Sequence, residues 1–303
     1  MSVAGREMNH AEGAPLAPSP GLVRRNVVGT ILSVLFLLAI IVAVAALVTL
    51  LWTIVSRGWS WLSWGLIENP PSRRPERAGL NPALFGTIWI IGLTALVAFP
   101  VGVATAIYLE EYAGHSRLTR ILQVNIANLA GVPSVVYGLL GLGVFVEFMN
   151  MGRVVLAGAL TMALLSLPVI IIASQEAIRA VPSSLREAAY GLGATRWQVA
   201  RHHVLPAALP GILTGTILSI SRAAGETAPL LVVGAAGFLL KRPEGLFSSY
   251  TALPIQVYQW TSRPQAEFRE LAAAAIIVLL VVLLVMNATA IIIRQRASRA
   301  QRW

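Results

Sequence analysis

Arg222 and Glu226 carry opposite charges inside an otherwise apolar stretch, Leu209 to Ala236. Helical residues four apart share a face, so the two can pair. Neither can face hydrocarbon, where a charge costs about 2.5–3.5 kcal/mol even on the mildest scale. Thr214, Ser219, Ser221 and Thr227 add hydroxyls, and Pro229 lacks the N–H that would bond the Gly225 carbonyl. Two readings are open. In the first, Arg222, Glu226, Thr227 and Ser219 wall a polar pathway, with Arg222 drawing an oxyanion and Glu226 holding or releasing it. In the second, Arg222 and Glu226 form a structural ion pair that locks a helix bundle. Ionisable residues within membranes more often mark transport routes, which favours the first.

Other chemistries find no residues. The chain has no Cys and no Asp, and its histidines (His10, His115, His202, His203) fall in the amino-terminal tail and in loops. Catalytic residues, metal ligands and cofactors are therefore not expected. Nothing resembles the Gly-x-x-x-x-Gly-Lys-Ser/Thr loop that cradles nucleotide phosphates, and the sole lysine is Lys241. Any ATP hydrolysis must belong to a partner.

The elements that must position Arg222 follow from composition. The 303 residues are 56% hydrophobic and only 12% charged, with mean hydropathy +0.74, against about 25% charged in ordinary soluble domains. This is an all-α integral membrane protein. A span needs about 20 apolar residues, and six transmembrane helices qualify: approximately Val27–Val55, Leu84–Tyr108, Leu118–Phe148, Val154–Ile172, Leu209–Ala236 and Leu271–Ile293. Gly131-Val132-Pro133-Ser134 should kink the third. Glycines through the second to fifth spans permit close helix approach, which makes these four the core.

Orientation comes from arginine. Placing both termini inside puts Arg24, Arg25, Arg117, Arg120, Arg186, Arg196, Arg201 and the carboxyl-terminal arginines on the cytoplasmic side of the cell membrane. The +10 net charge is then topological and does not imply nucleic acid. Trp52, Trp59, Trp61 and Trp64 read as an interfacial belt. Glu110-Glu111, near His115, sits in a short inner loop that could touch a partner. The expected organisation is a disordered cytoplasmic tail 1–26, a first helix and outer loop 27–83, a five-helix core 84–293 and a basic tail 294–303.

Within the core, residues 179–208 form a cytoplasmic loop. Ser184 and Glu187 have capping-box spacing, Gly191 and Gly193 should end that helix, and Thr195 with Gln198 starts a second. Two short helices joined at Gly193 should lie on the surface. The run Glu187-Ala188-Ala189, then Gly193, then Leu205-Pro206 resembles the signature loop of ABC importer permeases, although His203 stands where isoleucine is usual. Arg222-Ala223-Ala224-Gly225-Glu226-Thr227-Ala228-Pro229-Leu230 resembles the fifth helix of phosphate-importer permeases of the PstA type. Residues 253–264 are similar to their outer loop.

The resemblance implies a type I ABC importer permease-like bundle carrying inorganic phosphate, with Glu187, Ala188, Ala189 and Gly193 coupling it to an ATPase. It also implies as partners a second homologous permease, two cytoplasmic ATP-binding subunits and an extracytoplasmic phosphate-binding protein. Two alternatives remain open. One is transport of another oxyanion or small solute. The other is a membrane-tethered regulator using Ser184–Leu205 as a DNA-reading helix-turn-helix, which a loop pinned between spans suits poorly.

Overall fold

The computed structural model describes residues 20–114, 116–235 and 237–299. Two compact units divide between Thr53 and Ile54. Most of helix α1 (Pro20–Gly58) makes up the described part of the first. Its apolar run carries no charge from Val27 to Val55. The helix starts before Val27 because proline suits a first helical turn and arginines are good helix formers. The expected tail 1–26 is thus helical from Pro20, and residues 1–19 lie outside the described residues.

After a 3₁₀ turn at Trp59–Trp61, the second unit runs through α2 (Trp64–Glu68), another 3₁₀ turn at Pro75–Arg77, and α3 (Asn81–Ile107), which a π-helical turn extends to Tyr112. It continues with α4 (Arg117–Ala130), α5 (Ser134–Gly141) with a π-helical extension to Phe148, α6 (Val155–Arg179), α7 (Ser183–Gly191) and α8 (Arg196–Val199). The chain ends with α9 (Leu205–Gly225), α10 (Ala228–Val233), α11 (Leu253–Thr261) and α12 (Ala266–Arg299). Among the described residues no strand occurs. Five helical stretches are long and apolar enough to cross a membrane, and the bent pair α4–α5 makes six when counted as one span.

The unit is built round α6, the most enclosed of these stretches. Helix α3 runs parallel to it: Thr94 donates to the Ala159 carbonyl at 3.2 Å, and Glu110 accepts from Gln175 at 2.8 Å. Helix α9 runs antiparallel, with Gly211 opposite Ala177 and Gly215 opposite Ala173. A Cβ on Gly215 would overlap the Ala173 Cβ, so glycine sets the α6–α9 spacing. Helix α12 lies antiparallel on α9, through Arg294 donating to Thr214 at 2.9 Å and a Ser221–Asn287 hydrogen bond. Its first turns pack on the α2–α3 end, where Trp61 donates to Glu270 at 2.8 Å. Of the expected tryptophan belt, Trp52, Trp59 and Trp64 are exposed, and Trp61 is partly buried against this core.

Several expectations change. The third span is broken outright: α4 and α5 meet at 105°, because Pro133 cannot donate and keeps Val132 out of helical geometry. The fifth span ends at Gly225, with Glu226 extended at φ −75°, ψ 127°. Pro229 enters the first turn of α10, which closes on Gly234 at φ +96°, while Ala236 lies outside the described residues. The second loop helix is no separate piece, since Arg196 to Gly225 is one continuous helical stretch. Helix α12 reaches Arg299, so most of the expected tail 294–303 is helical and 300–303 lie outside the described residues.

If glycine sets the α6–α9 spacing, Gly215→Val lowers the thermal unfolding midpoint of the detergent-solubilised protein, at a cost of about 1–3 kcal/mol. Gly92→Ala, where a Cβ meets nothing within 4 Å, leaves it level or higher. Equal midpoints for the two variants would show that the contact is slack.

Candidate functional site

Arg222 lies in the last turn of α9, about one turn beyond Ser219, which bonds the Ser166 carbonyl. Ser166 is halfway along α6, so the arginine is at mid-depth although its helix ends three residues later. The break in the third span arrives at the same level. Gly131, Pro133 and Ser134 share a cavity of about 340 Å³ with Ser166, Ser219 and Arg222. The cavity therefore has a chain break on one side, at Gly131–Pro133, and the last turn of α9 on another, beside the middle of α6.

The Arg222–Glu226 pair is loose. A single contact, Nε to Oε1 at 3.8 Å, joins them, and the Arg222 side chain is 73% exposed. A structural lock would be enclosed and hydrogen-bonded, because a buried pair recovers its desolvation cost only with good geometry. Glu226 and Thr227 stand at the α9–α10 break, outside the cavity lining. Ser219 is buried and donates to the Ser166 carbonyl at 3.3 Å, so its proton already serves the α6–α9 contact. Of the four residues expected to wall a pathway, the structure brings Arg222 and Ser219 into one cavity and leaves Glu226 and Thr227 at its margin. Ser166 and Ser134 were missed. The Gly-Val-Pro-Ser run marked Ser134's neighbourhood as a kink, whereas Ser166 had no signal, being one serine in an apolar span.

The docking loop forms a second candidate surface. The Ser184–Glu187 capping box does not form: the cap falls two residues earlier, at Pro182, and has no side-chain bond. Proline fixes the entry torsion and leaves Ser184 inside the first turn. The Thr195–Gln198 box does form, and Gly193 takes φ +83°, which lets α7 turn back into α8. Ala189 is buried with Val103, Ile178, Val199 and Val204. Glu187, Ala188 and Gly193 face outward. Leu192 is 91% exposed at the tip, flanked by exposed Tyr190 and Trp197. An acid and three large apolar groups are thus offered to water on a rigid base, as in a docking element.

Glu110 and Glu111 supply that base and do not wait for a partner. The π-helical turn at the foot of α3 points both inward. Glu110 accepts from Arg179 Nη2 at 2.7 Å and from Gln175 at 2.8 Å. Glu111, whose side chain is only 7% exposed, accepts from Arg186 Nε at 3.1 Å and Nη2 at 3.0 Å. The same guanidinium donates to the Val181 and Ile178 carbonyls at 2.8 and 2.9 Å, where α6 gives way to the turn before α7. One arginine thereby fastens the loop to α3 and α6 together. His115 lies outside the described residues. Among the described residues no group of acids and histidines could hold a metal.

Comparison with known proteins adds three findings. Residues 98–299 match the family model described as "Binding-protein-dependent transport system inner membrane component". The chain is 35% identical over 258 residues to the Mycobacterium tuberculosis (strain CDC 1551 / Oshkosh) "Phosphate transport system permease protein PstA 1", covering 83% of each. It is 33% identical over 237 residues to the Haemophilus influenzae "Phosphate transport system permease protein PstA", covering 78% of this chain and 82% of that one. Among solved structures, a bacterial alginate ABC transporter superposes with a TM-score of 0.63 at 17% identity, over 86% of this chain and 92% of the other. The MetNI methionine ABC transporter gives 0.60 at 18%, over 71% and 94%. At those identities they establish the fold alone.

The clamp under the docking loop has a measurable consequence. Hydrogen bonds to charged groups contribute about 1.5–3 kcal/mol, so Glu111→Gln speeds amide hydrogen exchange across Ser183–Gly191 about tenfold and leaves α12 unchanged. Unaltered exchange in α7 would mean that Arg186 holds the loop without Glu111.

Proposed function

Because the chain belongs to the binding-protein-dependent transport system inner membrane component family, we propose that it is the permease subunit of an ATP-driven importer for inorganic phosphate. The family and the fold make it a multi-pass membrane transport subunit. The phosphate-transport names of relatives matched over most of their length support the substrate. The observation that carries the reading is Arg222, a cation at mid-depth, 73% exposed, loosely paired and lining a cavity at the break in the third span. Such a group attracts a passing oxyanion without holding it, which is what a route requires.

ATP hydrolysis falls to partners. The arrangement expected of the family has a second homologous permease, two cytoplasmic ATP-binding subunits and an extracytoplasmic phosphate-binding protein. The exposed Glu187, Ala188, Leu192 and Gly193 surface is where an ATP-binding subunit would dock, and the Glu111–Arg186 clamp would carry its movement into α3 and α6. The loop end of the unit is then cytoplasmic. Helix α12 ends on that same side, as its Arg294–Thr214 contact requires, and the basic residues Arg294 and Arg296 agree.

The test uses the assembled complex in vesicles. Arg222→Gln abolishes phosphate uptake while complex yield and melting temperature hold, and adding Glu226→Gln does not restore it. If the pair were a lock, the single variant would leave a buried charge uncompensated and the double would recover stability and uptake together.

A further inference from the structure

Hydroxyls inside helices ordinarily return their proton to the carbonyl one turn back, and this chain follows the habit: Thr161 donates to Ala157, Thr216 to Ile212 and Ser221 to Ile217. Ser166 does not. Its Oγ is buried and has no partner among the described residues, although the side chain is only 2% exposed and the Met162 carbonyl lies one turn back. Its own carbonyl is occupied by Ser219. An unpartnered buried hydroxyl costs free energy, so a position that keeps one asks for a reason. Ser166 lines the cavity that also holds Arg222, and so does Ser134, the first residue of α5. That helix starts after Pro133 with no side-chain cap; the Val136 N–H bonds the Pro133 carbonyl at 3.0 Å, which leaves the Ser134 and Val135 N–H groups without an acceptor in the helix.

We infer that this cavity is a waypoint for a tetrahedral oxyanion, in which the Ser166 hydroxyl and the uncapped start of α5 receive the anion that Arg222 attracts. The inference rests on the permease reading given above and adds a site to it. Every group it names is a donor: a guanidinium, a hydroxyl and helix-start amides, which favour negative charge. Glu226, which pairs loosely with Arg222, does not line it. The volume of about 340 Å³ equals that of roughly ten liquid waters, enough for a tetrahedral oxyanion with part of its hydration shell. Loose enclosure suits passage. A fully satisfied cage would retain the ion, whereas one free hydroxyl and one mobile cation let it move on.

Ser174 provides the internal control. It is on the same helix, fully buried, and its Oγ is likewise unpartnered, but it does not line the cavity. If both hydroxyls are mere packing defects, Ser166→Ala and Ser174→Ala should each leave stability level or higher and phosphate uptake untouched. The waypoint predicts a split. In the reconstituted complex at sub-saturating phosphate, Ser166→Ala lowers the initial uptake rate about tenfold without lowering the melting temperature. Ser174→Ala retains the parent rate. Added inorganic phosphate should raise the melting temperature of the parent complex and of Ser174→Ala, and that shift should shrink in Ser166→Ala. Parent-like uptake and phosphate stabilisation in Ser166→Ala would overturn the waypoint and leave the permease reading standing. Equal losses in the two variants would make the effect structural and overturn it as well. A folded parent complex that moves no phosphate would remove the reading on which the inference rests.

Discussion

The close approach of α6 to α3 and α9 is the constraint on which the rest depends. Between helices in lipid the hydrophobic effect gives little drive, so association falls to van der Waals contact at small residues and to a few interhelical hydrogen bonds. Here the small residues are Gly211 and Gly215 against Ala177 and Ala173. The bonds are Thr94 to Ala159 and Ser219 to Ser166. With that spacing fixed, α6 reaches from the loop residues Leu246 and Ser248, whose carbonyls accept from its first turn, to the Glu110–Arg179 pair at its foot. Both candidate surfaces are attached to it: the cavity at its middle and the loop 179–208 at its end.

That attachment gives a physical route between the two surfaces. Arg186 bonds Glu111 at the foot of α3, the Ile178 carbonyl in the last turn of α6 and the Val181 carbonyl just beyond it, so a displacement of α7 cannot leave those helices untouched. Nine residues back along α6 from Ile178, at Val169, the cavity begins, bounded by the break at Gly131–Pro133 and the last turn of α9 and crossed by few side-chain bonds. Stiffness at the foot and looseness at mid-depth is the distribution that a gate driven from one end requires.

Much of this was legible from residue types. Six apolar stretches, the Thr195–Gln198 box, the turn at Gly193 and the mid-depth position of Arg222 follow from hydropathy, capping chemistry and glycine's tolerance of positive φ. What was not legible has a common cause. Periodicity reads Leu118–Phe148 and Leu209–Ala236 as continuous because apolar composition persists through Pro133 and Glu226, whereas backbone hydrogen bonding decides where a helix stops. The Glu110–Glu111 foot looked like a polar loop because a π-helical turn leaves no mark in a period of 3.6 residues. Ser166 was invisible for a different reason: its significance is a bond it does not make.

If Arg222 and the break in the third span form the route, water and an oxyanion reach mid-depth there. The native chain has no cysteine, so a single cysteine at Ser134, which lines the cavity beside Arg222, reports on it directly in the assembled, ATP-driven complex. Its reaction rate with a membrane-impermeant anionic thiol reagent should be measurable and should fall as inorganic phosphate is raised. A cysteine at the exposed apolar position Ile88 should stay unreactive. A Ser134 cysteine that reacts no faster than the one at Ile88, or at a rate indifferent to phosphate, would contradict the account.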